Sequence, residues 1–236
     1  MNKRGEPTNM GNAKTVSIAV DGPSGAGKSS LSKQIAKNFN FIYVDTGAMY
    51  RTIGLYCLKN GVDLHDASAL AQAYPQIHID IRYDESGLQR MILNGSDVTE
   101  EIRMPEVSIA ASDVSAQPSC RAFLLETQRE FARNNSVIMD GRDIGTVVLP
   151  DADVKIYLTA SAEARAQRRL KELLEKGVEA NYEDTLKDIE YRDYQDTHRE
   201  VAPLKQAEDA ILVDTSDINF DQSLDLLCSI IADRLI

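Results

Sequence analysis

The sequence predicts an α/β fold: a three-layer arrangement with a five-stranded parallel sheet and an inserted antiparallel β unit. Three observations carry this. Five short apolar, β-branched runs alternate with segments of helical spacing, the pattern of strands joined by crossover helices. The first run, residues 16–20, leads straight into a glycine-rich loop and a helix. A period-two patch then interrupts the alternation across residues 77–98.

Residues 21–30 read Asp-Gly-Pro-Ser-Gly-Ala-Gly-Lys-Ser-Ser, which contains the P-loop pattern Gly-x-x-x-x-Gly-Lys-Ser. Along Gly22, Pro23, Ser24, Gly25, Ala26 and Gly27, the glycines allow successive N–H groups to turn inward around phosphate oxygens. Lys28 brings a point charge to the β- and γ-phosphates, and a serine hydroxyl reaches Mg²⁺. Apolar residues at 31, 35, 36 and 39 give the next stretch helical spacing, so the loop opens onto a helix N-terminus that favours anions. The expected ligand is a nucleoside triphosphate.

The second strand is expected over residues 41–44, ending at Asp45-Thr46-Gly47, with a helix from Ala48 to Leu58. Ligands of parallel sheets sit beyond the carboxyl ends of strands, where Tyr50 and Arg51 fall. Packing and surface roles serve those two residues equally well. Residues 77–98 form a hairpin and a short third strand: Ile77, Ile79 and Ile81 alternate with His78, Asp80 and Arg82 before a turn and a return run at 89–93. His78 lies on the polar side and is expected to be solvated. The inserted unit is placed at about 66–104.

Residues 105–135 read as two helices divided at Gln117-Pro118, with Ser112 and Arg121 on either side and unranked by spacing alone. A third strand at 136–139 runs into Asp140-Gly141-Arg142-Asp143-Ile144-Gly145-Thr146, dense in charge at a strand's carboxyl end. A fourth strand covers 153–158. Beyond Ser161, Arg165, Arg168 and Arg169 stand on adjacent helical turns, and Arg is the type that forks onto phosphate oxygens. Glu163 and Glu172 lie close enough in sequence to neutralise that cluster instead. Gly177 closes this helix, and a second helix capped by Asn181 is expected to run to Pro203. On it Arg192, Asp196 and Arg199 share a face. The fifth strand is at 210–213 and a closing helix at 223–235.

With 236 residues, 43% hydrophobic and 27% charged, the chain suits one sizeable soluble domain with an insertion. Its net charge of −11 disfavours nucleic acid as a partner. Cys57, Cys120 and Cys228 are odd in number and widely spaced, as in a reduced protein without a cysteine metal site. Residues 1–15 are polar and expected to be disordered, no run approaches membrane-spanning length, and a cytoplasmic monomer is expected. No Asn-Lys-x-Asp guanine reader follows a late strand, which sets aside a switch GTPase. A motor-type ATPase could use Asp140 for its metal, whereas a kinase of a small anion needs a second anion site, for which arginines abound.

At this point the chain resembles bacterial cytidylate kinases, a family of nucleoside monophosphate kinases, over nearly everything from Val16 onward. The matching pieces are the loop at 21–30, Asp-Thr-Gly-Ala-Met-Tyr-Arg (45–51), Asp-Gly-Arg-Asp-Ile-Gly-Thr-Val-Val (140–148) and Arg-Asp-x-x-Asp-x-x-Arg-x-x-x-Pro-Leu (192–204). The resemblance implies transfer of a phosphoryl group from ATP, with Mg²⁺, to CMP or dCMP. It implies that Ser112, Arg121 and Asp143 read the cytosine edge, with Asp143 accepting from the exocyclic amine. Thr46 and Tyr50 would line the monophosphate pocket, while Arg51, Arg142 and Arg199 hold the acceptor phosphate. Arg192 and Asp196 would meet the ribose, the insert would bind the monophosphate, and the 161–180 segment would be a lid. Lys28, Arg142, Arg165, Arg169 and Arg192 would neutralise transferring charge. Ser29 and Ser30 stand where many relatives carry Gly-Thr, which leaves either serine as the Mg²⁺ ligand, and Gln195 stands where some carry another Arg. No protein nucleophile is needed, because a phosphate monoester near pH 7 is largely dianionic and can attack in line.

Overall fold

The computed structural model describes residues 15–85 and 87–235, so nearly all of the expected N-terminal tail lies outside the described residues. Five parallel strands form the main sheet: β1 (Ser17–Asp21), β2 (Ile42–Asp45), β6 (Val137–Gly141), β7 (Val154–Thr159) and β8 (Ile211–Asp214). Their order is β2-β6-β1-β7-β8, which puts β1 in the centre. The register pairs Val20 with Asp140 and Asp45 with Asp140, so the carboxyl ends of β1, β2 and β6 finish side by side.

Alternation along β1 explains the layers. Ile18 and Val20 face α1 (Lys28–Phe39) and α8 (Phe220–Leu235), packing with Leu31, Ile35, Leu227 and Ile231. Ala19 faces the other way, where Val44, Met139, Ala132, Ile144 and Val148 fill the second layer boundary. A third core lies under the insert, where Met49, Ile53 and Cys57 of α2 (Thr46–Asn60) meet Leu70, Met91, Val114 and Leu124.

The insert holds α3 (Ala67–Ala73), the antiparallel strands β3 (Ile79–Tyr83), β4 (Gln89–Leu93) and β5 (Ser96–Asp97), and a 3₁₀ turn at Glu101–Arg103. β4 and β5 are joined through Asn94 and Gly95, both with positive φ as a two-residue hairpin turn demands. His78 is exposed, as its place on the strand's polar side predicts. Helix α3 was not legible as a helix, although Asp66 caps it by accepting from the amides of Ser68 and Ala69. Helices α4 (Pro105–Ala116) and α5 (Pro118–Asn134) each begin on a proline.

After β6 a single π-helical turn spans Ile144–Val148, where the sequence suggested only a charged turn. Helices α6 (Ala162–Glu175) and α7 (Tyr182–His198) follow β7. The expected run of α7 to Pro203 is corrected: the helix stops at His198, and Arg199 already has ψ near 143. Proline disfavours a helical residue before it, and Ala202 takes φ 50. Among the described residues no helix is long and apolar enough to cross a membrane.

Candidate active site

The glycine loop between β1 and α1 is shaped by contacts that only glycine tolerates. Gly22 has φ 149, and a Cβ there would lie 1.9 Å from the Leu158 carbonyl oxygen. Gly25 and Gly27 also have positive φ. Lys28 is buried, and its Nζ donates to the carbonyls of Gly22 and Pro23, each at 2.7 Å. Burial, and after it the Arg142 guanidinium, pushes the Lys28 ammonium down to about 7. The carboxylates of Asp140, Asp196 and Asp21 act on it in the opposite sense without prevailing.

Three strand-end carboxylates lie beneath the loop. Asp140 accepts from the Ser29 hydroxyl at 2.8 Å and the Tyr43 hydroxyl at 2.8 Å, while its carbonyl accepts from Thr46 Oγ1 at 2.7 Å. Burial, reinforced by neighbouring Asp45, raises its carboxyl. Ser30 is exposed, so of the two candidate serines Ser29 is the one brought to an acid. Asp21 accepts from the amides of Ile144 and Gly145, both at 2.7 Å, and burial pushes it up to about 6. Asp45 caps α2 by accepting from Ala48 at 2.8 Å. It also takes Arg51 and Arg103, both at 3.1 Å. Burial works against its ionised form, but the two guanidinium groups prevail and hold it below the usual carboxylate range.

Opposite the loop, arginines from distant parts of the chain meet two further carboxylates. Arg142 donates through Nε to Asp196 at 2.5 Å. Arg199 lies 3.9 Å from Asp196 and 3.4 Å from Asp143. Asp143 also binds Arg121, which donates to the Ser115 carbonyl at 3.2 Å and stacks over Tyr50 at 5.5 Å. Burial alone would raise Asp196, but Arg142, ahead of Arg199, holds its carboxyl low. Arg192 has neither hydrogen bond nor ion pair among the described residues; burial, then Arg169, lowers its guanidinium pKa. Ser112 is half-buried on α4, and its hydroxyl makes no hydrogen bond to Arg121 or Asp143 among the described residues.

The α6 arginines do not form one cluster. Arg165 is buried and forks onto Asp193 at 2.6 and 3.0 Å while donating to the Ser24 carbonyl at 3.1 Å, beneath the glycine loop. Arg168 turns to Thr215, and Arg169 pairs with Glu172 at 2.9 Å. Each guanidinium has its own partner, so self-repulsion is relieved without a shared anion. Arg103 escaped sequence reasoning, and Asp21, Asp45 and Asp193 stand inside the quoted motifs without an assigned role, because the spacing of a carboxylate does not say which arginine or amide it will hold.

The family model described as cytidylate kinase matches residues 18–233. A cytidylate kinase of Leuconostoc mesenteroides is 49% identical over 219 residues, covering 92% of this chain and 97% of that protein. One from Caldicellulosiruptor bescii is 48% identical, covering 89% and 93% respectively. A solved structure of an uncharacterized protein from Eubacterium ventriosum has TM-score 0.52 at 13% identity, covering 93% of this chain and 99% of that one, and shares the fold. Loop, strand-end acids, guanidinium set and family match converge, and this chain belongs to the cytidylate kinase family.

Proposed function

We propose that this chain transfers the γ-phosphoryl group of ATP to CMP, and to dCMP, by in-line displacement. The observation that carries the reading is the gathering of Arg142, Arg199 and Asp196 at the carboxyl end of β6, the strand paired with β1, whose own end opens into the loop closed by Lys28. Cationic side chains drawn from the loop and from two later segments to one sheet edge suit a site filled by anions from both sides.

In this reading the amides of residues 22–27 and Lys28 cradle ATP, while Arg51, Arg142 and Arg199 hold the acceptor phosphate beside Thr46 and Tyr50. Asp143, steadied by Arg121, accepts from the cytosine amine, with Ser112 at the same edge; Asp196 and the unpaired Arg192 meet the ribose. Arg165 keeps the glycine loop in shape from below, and Arg169 exchanges Glu172 for phosphate when α6 moves. The insert at about 66–104 carries the acceptor, the segment at about 161–180 excludes water, and one chain holds both seats, so a monomer suffices. The Ser29–Asp140 pair offers the hard oxygen donors that Mg²⁺ prefers, and no group of three or more acidic, His or Cys side chains among the described residues competes for a metal. Mg²⁺, when bound, neutralises phosphate charge. A dianionic acceptor phosphate needs no base, so the protein's task is alignment and charge neutralisation.

An acceptor screen with coupled detection of ADP tests this. ADP formation with CMP and dCMP but not with AMP or shikimate is the expected result. ADP formation independent of any acceptor would overturn it.

A further inference from the structure

Asp45 carries more positive charge than one carboxylate can balance. Arg51 reaches it at 3.1 and 3.3 Å from α2, and Arg103 reaches the same Oδ2 at 3.1 Å from the insert. The carboxylate is nearly enclosed, at 5% exposure, whereas Arg103 is 44% exposed and free to swing. Arg51 is held less fully than its distances suggest: its Nε is buried without a hydrogen-bond partner. A donor left unsatisfied inside a protein costs stability unless a ligand meets it.

The place matters as much as the count. The Arg51 guanidinium lies close over the start of α2, where a Cβ on Gly47 would sit 3.2 Å from Asp45 Oδ1 and 3.4 Å from one Arg51 nitrogen. Asp45 pairs in register with Asp140, two residues before Arg142. Arg103 therefore arrives at the same strand edge as the arginines assigned above to the acceptor phosphate.

We propose that Arg103 is a further acceptor-phosphate ligand, carried in by the insert and parked with Arg51 on Asp45 until a phosphate dianion takes both guanidinium groups. This inference rests on the reading of the chain as a CMP kinase. The insert does not depend on Arg103 to stay docked. The Tyr83 hydroxyl donates to the Tyr43 carbonyl at 2.9 Å, and the Asp45 amide donates to Gln89 Oε1 at 2.8 Å. An arginine that merely anchored the insert would duplicate contacts already present.

The experiment is calorimetric titration of wild type, Arg103→Ala and Arg103→Lys with CMP and with cytidine, alongside steady-state kinetics. Arg103→Ala should weaken CMP binding roughly 10- to 100-fold, the worth of a charge-assisted hydrogen bond, and leave cytidine binding unchanged. Arg103→Lys should recover part of the loss, since it keeps charge but not the fork. KM for CMP should rise while KM for ATP stays put. Equal weakening of CMP and cytidine, or none of either, would overturn the proposal and leave the CMP-kinase reading intact. A wild-type protein that neither binds nor phosphorylates CMP would remove both.

Discussion

The two sides of the reaction centre are built on opposite plans. The side proposed for ATP is one contiguous stretch of main chain, shaped by positive-φ glycines and by a lysine folded onto its own loop carbonyls. The side proposed for the acceptor is assembled from long side chains on α2, α5, α7, the insert and the stretches after β6 and α7, and among the described residues all of these arginines but Arg192 pair with a carboxylate. The first plan makes a rigid seat whose geometry is written locally. The second makes a seat occupied by its own counter-ions, and on the proposed reading the acceptor phosphate displaces Asp45 or Asp196 from its arginines. An acidic protein can therefore bind a dianion, because its acids hold the arginines in waiting.

The sharpest test is on the rigid side. Lys28→Met should cut turnover on the order of 10³–10⁵-fold, the range seen when a transition-state cation is lost. The thermal midpoint should not fall, because the lysine is a buried cation beside Arg142. Activity and melting curves on one preparation check both halves.

On the assembled side Asp143 should be costlier to the fold and more telling about the base. Asp143→Ala strands Arg121 and Arg199, and breaking such a buried pairing should cost about 3–5 kcal/mol by denaturant unfolding. Asp143→Asn keeps the shape but can donate to the 4-carbonyl of uracil. Its preference for CMP over UMP, measured as a ratio of kcat/KM values, should narrow roughly 10- to 100-fold. An unchanged ratio would remove Asp143 as the base reader.

A third test uses pH. Lys28 sits near 7 in the unliganded protein, below its ordinary value, so it loses its proton as pH rises through 7. ATP binds the ammonium form. Affinity for ATP should accordingly fall between pH 7 and 9, by up to about tenfold per pH unit, and binding at pH 8 should take up a proton. Titrations in buffers of different ionisation enthalpy read that proton directly. The smallest effect distinguishes the two serines: Ser29→Ala should raise the Mg²⁺ concentration needed for half-maximal rate. Ser30→Ala, at an exposed position, should stay within about 0.5 kcal/mol of wild type in stability and leave that concentration unchanged.

The same contrast separates what was legible in the sequence from what was not. The glycine loop and the five strands could be read because their determinants are local: spacing, β-branching, turn residues. The arginines of the acceptor side could be named, and Asp143 and Asp196 with them, but not which carboxylate each arginine holds. Asp45 carries no role in the sequence until the fold sets it against Arg51 and Arg103, and Asp196 gives no sign there that it pairs with Arg142. Spacing grouped Arg165, Arg168 and Arg169, yet tertiary partners sent them to Asp193, Thr215 and Glu172. Arg103 gave no sign at all, since a short 3₁₀ turn has no periodicity. Arg199 was placed on a helix that the chain leaves one residue earlier.

Asp21 joins the two halves. It is the last residue of β1, immediately before the ATP loop, and its carboxylate clasps the two amides that follow Asp143. On the proposed reading, the segment that holds ATP and the segment that reads cytosine are tied by one carboxylate, so that a displacement of the end of β1 acts directly on the turn after Asp143.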